Sequence, residues 1–313
     1  MEPMLKSRPA RPSGVLLLST GAVLVIAFLS LIVLFFVFSS LTPALMGRCV
    51  AVVDINNELA VDGTPASLFS AGTPGSEEIA KTIEDIGKRD DVGAVLFVVN
   101  SPGGSVVATR EIYNAVKGLK KPKVAYFREV AASGAYYLST GTDYIISDPD
   151  AVTGSIGVIA TFTEMSGLLD KIGVNITSIT SGPHKDIGSS YRNMTADERQ
   201  ILQGLIDEVY GEFRSVVLEN RQGRLDLSKF DNVSDGRILS GRQALKVGLV
   251  DAVGTKKDAI MKAAELAGID AASPDDVRLC PVTVTTQDAG LFSAEAFIRS
   301  LEAKASAPSL DYK

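Results

Sequence analysis

The chain has 313 residues, with 31 Lys+Arg against 37 Asp+Glu and a formal net charge of −6. Hydrophobic residues make up 46% and charged residues 22%, with 28 Gly and 2 Cys, which excludes a disordered, collagen-like or cysteine-stapled chain. The acidic balance also excludes nucleic acid as a partner, because its binders need a surface of Lys and Arg.

Lys6, Arg8 and Arg11 stand near the start, and no charge follows between Pro12 and Gly47. Val15 to Leu41 (VLLLSTGAVLVIAFLSLIVLFFVFSSL) is almost wholly apolar. As a helix it spans about 40 Å, against roughly 30 Å of bilayer hydrocarbon. The apolar part of a signal peptide is shorter, about 7–15 residues, and a buried core helix rarely runs this far without charge. The expectation is a single transmembrane helix over 15–41. The basic residues before it place 1–14 in the cytoplasm and send the remainder outside the cell membrane. That remainder carries 28 Lys+Arg and 36 Asp+Glu, so its body should not cling to anionic headgroups. An extracytoplasmic domain is expected over 48–300 and a flexible tail over 301–313. Cys49 and Cys280 both fall outside the membrane. An oxidising compartment would allow a disulfide, and buried free thiols are the alternative for two residues so far apart.

Cys49–Ile55 reads as a short buried strand, and 56–75 as a loop rich in Gly, Pro, Ser and Thr. Ser76–Lys88 is a predicted helix with Ile79, Ile83 and Ile86 on one face and Ser76 as its cap. Val92–Val99 is a continuous apolar run, as in a parallel strand covered on both faces. Further helices are predicted over Ser105–Leu119, Ala131–Ser139 and Glu164–Ile172. Further strands are predicted over Lys123–Phe127, Tyr144–Ser147, Ile156–Ala160 and Val174–Thr180. Strands alternating with helices imply βαβ units and an α/β fold. Thr195–Arg221 is the longest helix of this part. Thr195 and Glu198 form a capping box, and Ile201, Leu202, Leu205, Val209, Phe213 and Val217 trace one apolar face. Gly241–Val247 and Lys256–Leu266 are the last predicted helices.

Two strand-to-helix junctions have the makings of a site. Asn100-Ser101-Pro102-Gly103-Gly104 follows the strongest strand, and its glycines let backbone approach a ligand beside a helix start. That suits an oxyanion hole or a phosphate cradle, but the Gly-Lys-Ser/Thr ending of a Walker loop is missing. Ala131-Ala132-Ser133-Gly134-Ala135 leaves Ser133 among small neighbours, with the Gly134 N–H free for an oxyanion. It is not a Gly-x-Ser-x-Gly elbow, because Ala131 and Ala135 stand at both Gly places. A serine nucleophile needs a base. The sole histidine, His184, precedes Lys185, and neighbours in an extended segment point opposite ways. A lysine serves only when desolvation lowers its ordinary value of ~10.4. The residues themselves leave His184 and Lys185 as equal candidates.

Together these blocks resemble the short form of the signal peptide peptidase A family, membrane-anchored serine proteases of the S49 type. The matching stretches are Val92–Gly104, Ala131–Tyr137 (AASGAYY), Thr153–Val158 (TGSIGV), Gly182–Gly188 (GPHKDIG) and Ser240–Asp251 (SGRQALKVGLVD). The resemblance implies a fold like that of caseinolytic protease and crotonase, a βαβ superhelix behind the membrane helix. It implies Ser133 as nucleophile, Lys185 as general base and Ser155 as the residue orienting that lysine. It also implies an oxyanion hole from Gly103 or Gly104 together with Gly134. The departures are Ala135, where Gly is common, and His184, where an aromatic is common. In the long form of the family, Ser and Lys come from two repeats of one chain. This chain has one repeat, so the resemblance implies a homo-oligomeric ring in which Ser133 of one subunit meets Lys185 of its neighbour. The implied substrates are extended apolar peptides such as signal peptide remnants. No cofactor and no metal are implied, since one His and two distant Cys make a poor ligand set. The rival functions are acyl-CoA hydratase-type chemistry on the same scaffold and a catalytically silent membrane scaffold.

Overall fold

The computed structural model describes residues 25, 27–33, 47–65 and 72–284, and the backbone of 311–312. The chain divides into two units, 1–48 and 49–313. In the first, residues 27–33 are helical and exposed. The rest of the expected membrane helix, residues 15–41, lies outside the described residues. Among the described residues no helix is long and apolar enough to cross a membrane.

The second unit is built on an eight-stranded mixed sheet. Its central strands are β1 (Cys49–Asn56), β2 (Val92–Ser101) and β4 (Lys123–Ala132), all parallel. β9 (Leu279–Val282) extends the sheet beside β1. On the other side, β4 pairs along its first half with β5 (Tyr144–Ser147) and along its last residues with β6 (Val152–Gly154). β5 in turn pairs with β8 (Ala252–Val253). β7 (Ile238–Ser240) runs antiparallel to β6, so the sheet is not purely parallel. A separate short strand, β3 (Gly104–Ser105), leaves the end of β2.

β2 is buried on both faces along nearly its whole length, as its unbroken apolar run requires, and β1 and β4 are so along their first five residues. Val53, Phe97 and Val99 face one core. It is covered by α1 (Ser76–Gly87), α2 (Val106–Gly118), α3 (Gly134–Ser139) and part of α5 (Ala196–Asn220). Val50, Leu96 and Val98 face a second core, covered by α8 (Lys256–Leu266) through Ala259, Ile260, Ala263 and Ala264. The remaining helices, α4 (Ser166–Lys171), α6 (Leu227–Val233) and α7 (Gly241–Val247), are short.

Several expectations change here. Ser76 does not cap α1. Gly75 holds the N-cap position, and Ser76 is fully buried with its hydroxyl bonded to the Glu111 carboxylate. The strand expected at Ile156–Ala160 sits earlier, at Val152–Gly154, because Gly154 (φ 78°) and Ser155 (φ 50°) turn the backbone out of the extended region. Val174–Thr180 forms no strand: it joins neither sheet, and its Ser178 hydroxyl meets Tyr191 at 2.8 Å instead. Of the tail, Asp311–Tyr312 (β10) pairs antiparallel with β3.

The apolar face of α5 is only half covered. Phe213 and Val217 are buried, while Ile201 and Leu205 are exposed. The capping box of Thr195 and Glu198 starts the helix as expected. Its C-terminal end is fastened by Arg221, 1% exposed, which donates to both carboxylate oxygens of Asp251 at 2.9 Å and to the Gly248 carbonyl. Cys49 and Cys280 form a disulfide between the neighbouring strands β1 and β9, with Cα atoms 5.9 Å apart. The free-thiol alternative therefore falls, and neither sulfur remains available as a metal ligand.

Candidate active site

The end of β2 and the end of β4 lie side by side, with Ser101 opposite Ala131. Beyond Ser101 the chain turns through Gly103 (φ 101°) and Gly104 (φ 152°), a region that L side chains rarely adopt. A Cβ on Gly104 would also lie 2.2 Å from the Leu59 carbonyl oxygen. The turn is clamped against Leu59: its N–H donates to Gly103 O (2.8 Å), and Ser105 N donates to Leu59 O (2.8 Å). Gly103 N donates to Ser101 Oγ at 3.2 Å. Of the two glycine N–H groups, that of Gly103 is therefore already engaged. The backbone of Asp311–Tyr312 lies antiparallel along Gly104–Ser105, so this edge accepts an extended chain.

The expectation of helix from Ala131 is corrected, with consequences for Ser133. β4 continues to Ala132 and α3 begins at Gly134, so Ser133 is the single joint between them. It adopts φ 55°, ψ −121°, a conformation costing of order 1–3 kcal/mol for a residue with a Cβ. Its N–H donates to Gly154 O at 2.9 Å, which holds the joint against β6. The Ser133 side chain is fully buried, and its Oγ has no hydrogen-bond partner. A strained backbone holding an unsatisfied buried hydroxyl is costly, and such sites cluster where chemistry is done. Gly134 stands in the first turn of α3, where N–H groups have no intrahelical acceptor. A Cβ there would come within 2.3 Å of Thr109 Oγ1, another buried hydroxyl without a partner.

Ser155 follows β6 directly, buried, with its N–H donating to Arg237 O at 2.9 Å. The bond from Ser133 N to the preceding Gly154 ties the two serine segments together. Lys185 makes no bond to Ser133 Oγ. It is exposed, in a run of turns over 181–190, and no hydrogen bond or ion pair of its side chain to any described residue is present. The neighbouring His184 lies 3.5 Å from Asp197, and both side chains are largely in solvent. Within one chain, then, Ser133, Gly134, the glycine turn and Ser155 sit on adjoining strand ends, while Lys185 is exposed and makes no hydrogen bond to the Ser133 hydroxyl.

Sequence reasoning missed two features. Thr109 gave no signal, because its role is visible only as the wall behind Gly134. Glu198 was recognised as a capping residue, but it also accepts from Arg192, which in turn holds Asp186 beside Lys185. The guanidinium holds the Glu198 carboxyl down at about 2 and Asp186 below the usual carboxylate range.

The chain is similar in sequence to known proteases. The profile of peptidase family S49 matches residues 115–270, and that of Clp protease matches 75–147. A putative protease of Methanocaldococcus jannaschii is 40% identical over 226 residues, covering 71% of this chain and 72% of that protein. A putative signal peptide peptidase SppA of Enterococcus faecium is 35% identical over 65% of this chain and 60% of its own length. Protease 4 of Salmonella typhi is 34% identical over 74% of this chain, which spans 36% of that longer protein. Among solved structures, a mutant of the 1510-N membrane-bound stomatin-specific protease with a substrate peptide superposes over 82% of this chain and 99% of that one. Its identity is 15% and its TM-score 0.48.

Proposed function

The chain belongs to peptidase family S49, and on that premise we propose that it is a membrane-anchored serine endopeptidase using a Ser133–Lys185 dyad. The observation that carries this reading is Ser133 itself: a buried, unpartnered hydroxyl on a strained joint, beside a helix start and a glycine turn. Ser133 Oγ attacks the peptide carbonyl as neutral Lys185 takes its proton. The oxyanion is met by the N–H groups of Gly134 and of the Gly103–Gly104 turn, with Gly104 favoured because the Gly103 N–H already has an acceptor. Lys185 then protonates the leaving amine, and water hydrolyses the acyl-enzyme with the same lysine as base. Ser155 orients the lysine.

In this reading Lys185 comes from a neighbouring subunit of a homo-oligomeric ring. Its exposure within one chain supports this, and so does the apolar surface around it. Ile172, Val174, Ile176 and Ile179 lie exposed on the approach to the lysine loop, as do Ile201 and Leu205 on α5. A second copy packed there would cover this surface and strip water from the amine, which favours the neutral base. Substrates are extended apolar peptides, signal peptide remnants among them, laid on the β3 edge as an added strand, as the tail segment is. The disulfide supports an extracytoplasmic domain, with residues 1–14 in the cytoplasm and 15–41 crossing the cell membrane.

A fluorophosphonate probe tests the nucleophile. It should label the solubilised protein at Ser133, whereas a silent scaffold or an acyl-CoA enzyme would give no adduct there. Mixing tests the shared site. Ser133→Ala and Lys185→Ala should each be dead, and co-assembly should restore part of the activity. Co-assembled but inactive mixtures would overturn the shared arrangement, and a dead His184→Ala with active Lys185→Ala would overturn the choice of base.

A further inference from the structure

We propose that Arg192 is the positioning residue for the lysine loop, fixing it to the start of α5 through Asp186 and Glu198. The inference rests on the reading of Lys185 as the base.

The loop that carries Lys185 has almost no structure of its own. From residue 174 to 195 there is neither helix nor strand, and most side chains are exposed. Its internal backbone bonds are short turns, from Lys185 N to Gly182 O, from Ile187 N to His184 O and from Ser189 N to Asp186 O. Such turns shape a loop but do not place it. Beside the lysine itself, placement comes from Arg192. Its Nε donates to Asp186 Oδ2 at 2.9 Å and its Nη2 to Oδ1 at 2.7 Å, a two-pronged grip that fixes orientation as well as distance. Nη2 also reaches the Asp186 backbone carbonyl at 3.2 Å. The other side of the same guanidinium donates to Glu198, with Nη1 to Oε2 at 2.9 Å.

Glu198 is the fixed end. It is 1% exposed, and its Oε2 accepts from Thr195 N at 2.9 Å within the capping box. Asp186 adjoins Lys185, so gripping both its carboxylate and its carbonyl leaves the lysine little beyond its own side-chain torsions. The remaining ties act farther from the lysine or more loosely. The Met165 N–H donates to Ser190 O at 2.7 Å and the Ser178 and Tyr191 hydroxyls meet at 2.8 Å, both at least five residues from Lys185, while His184 meets Asp197 in solvent at 3.5 Å and Gly188 rests against the Phe162 ring. A base misplaced by about 1 Å loses roughly a hundredfold in rate, so the grip acts on turnover more than on binding.

The test is a mutant cycle on the full-length, detergent-solubilised protein. Arg192→Met should lower kcat on a model peptide by about 30-fold while KM stays within about twofold. Arg192→Lys should recover part of the loss, since an ammonium can pair with one carboxylate but cannot fork across both. The deciding measurement is the rate of Ser133 labelling by a fluorophosphonate probe. In the Lys185→Ala background, adding Arg192→Met should change the residual rate by less than about twofold, because nothing is left to position. Equal losses in both backgrounds would make Arg192 a structural residue and overturn the proposal, as would full activity of Arg192→Met. If Arg192→Met does not fold, Asp186→Asn releases the same grip and enters the same cycle. Lys185→Ala with wild-type turnover would instead sink the reading of the base, and the two failures are told apart by that single variant.

Discussion

Replacing Gly134 by Ala isolates what the nucleophile's joint requires. Built on the existing backbone, the new methyl would stand 2.3 Å from Thr109 Oγ1 and 3.3 Å from its Cβ and Cγ2. Overpacking of this kind costs about 1–3 kcal/mol. Part is returned because Ala is better than Gly in a helix by about 0.5–1 kcal/mol. The net loss should be about 1–2 kcal/mol, a drop in Tm of roughly 2–8 °C for a domain of this size. Thr109→Ala removes the atom in the way. Its hydroxyl has no partner to lose, so that change should cost little beyond one buried methyl, about 1 kcal/mol. In the double variant the methyl introduced at position 134 occupies the vacated space. The two changes should therefore couple favourably by about 1–2 kcal/mol, well beyond the roughly 0.5 kcal/mol seen for independent sites. Urea unfolding at fixed protein concentration measures the cycle, and fluorophosphonate labelling follows Ser133 in parallel. The backbone N–H of residue 134 survives in every variant, so labelling should fall in Gly134→Ala and recover in the double. Additive losses, or a double variant that is stable yet unlabelled, would refute the assignment of Gly134 to close packing.

Other outcomes follow from the same geometry. Ser133→Gly should be as inactive as Ser133→Ala but more stable by about 1 kcal/mol, because only glycine occupies φ 55° without strain; equal stabilities in thermal unfolding would remove the strain argument. Arg192 holds Glu198 at about 2 and Asp186 below its ordinary value. A carboxylate depressed in the fold stabilises fully above its unfolded value and loses that contribution as pH falls through the folded one. The tether is thus intact at pH 6 and weakens from about pH 4.5 towards about 2. Amide protection over 186–199 should fall between pH 6 and pH 3 while β2 stays protected; unchanged protection of 186–199 would contradict this. Breaking the disulfide with a double Cys49→Ala/Cys280→Ala change should cost about 2–4 kcal/mol in urea unfolding, and loss of β9 protection alone should precede global unfolding.

The parts of the fold legible in sequence are those whose partners are local or periodic. The runs at 49–55 and 92–99 read as buried strands and are the cores of β1 and β2, and the Thr195/Glu198 box marked its helix start to the residue. Errors gather where backbone geometry, not side-chain pattern, decides. AASGAYY has the small and apolar residues of a helix throughout. It is broken at Ser133 by a positive φ that no propensity encodes, since a serine is not where one looks for φ 55°. The same holds at Gly154–Ser155, whose positive φ angles end the strand at Gly154, just before the stretch from Ile156 where one was expected. The side chain of Thr109 is likewise invisible in sequence, because only the approach of Gly134 gives it meaning.

The segment from Val174 to Thr180 teaches the opposite lesson. It carries three large β-branched apolar residues, Val174, Ile176 and Ile179, yet within the described chain all three are exposed, Ile179 to 98%. The exposed Ile201 and Leu205 of α5 repeat the pattern on the neighbouring element. A single chain would gain nothing by leaving these large apolar side chains in water, since full burial of one is worth about 1.5–3 kcal/mol and most of them are about half exposed. The discrepancy disappears if that face meets a second copy of the chain. The same contact would bring Lys185, exposed and unbonded to the Ser133 hydroxyl in its own subunit, to a hydroxyl that has no partner. Dilution separates this from the alternative: probe labelling should fall together with the oligomer as protein concentration drops, and labelling that persists in a monomer would place the base within the chain.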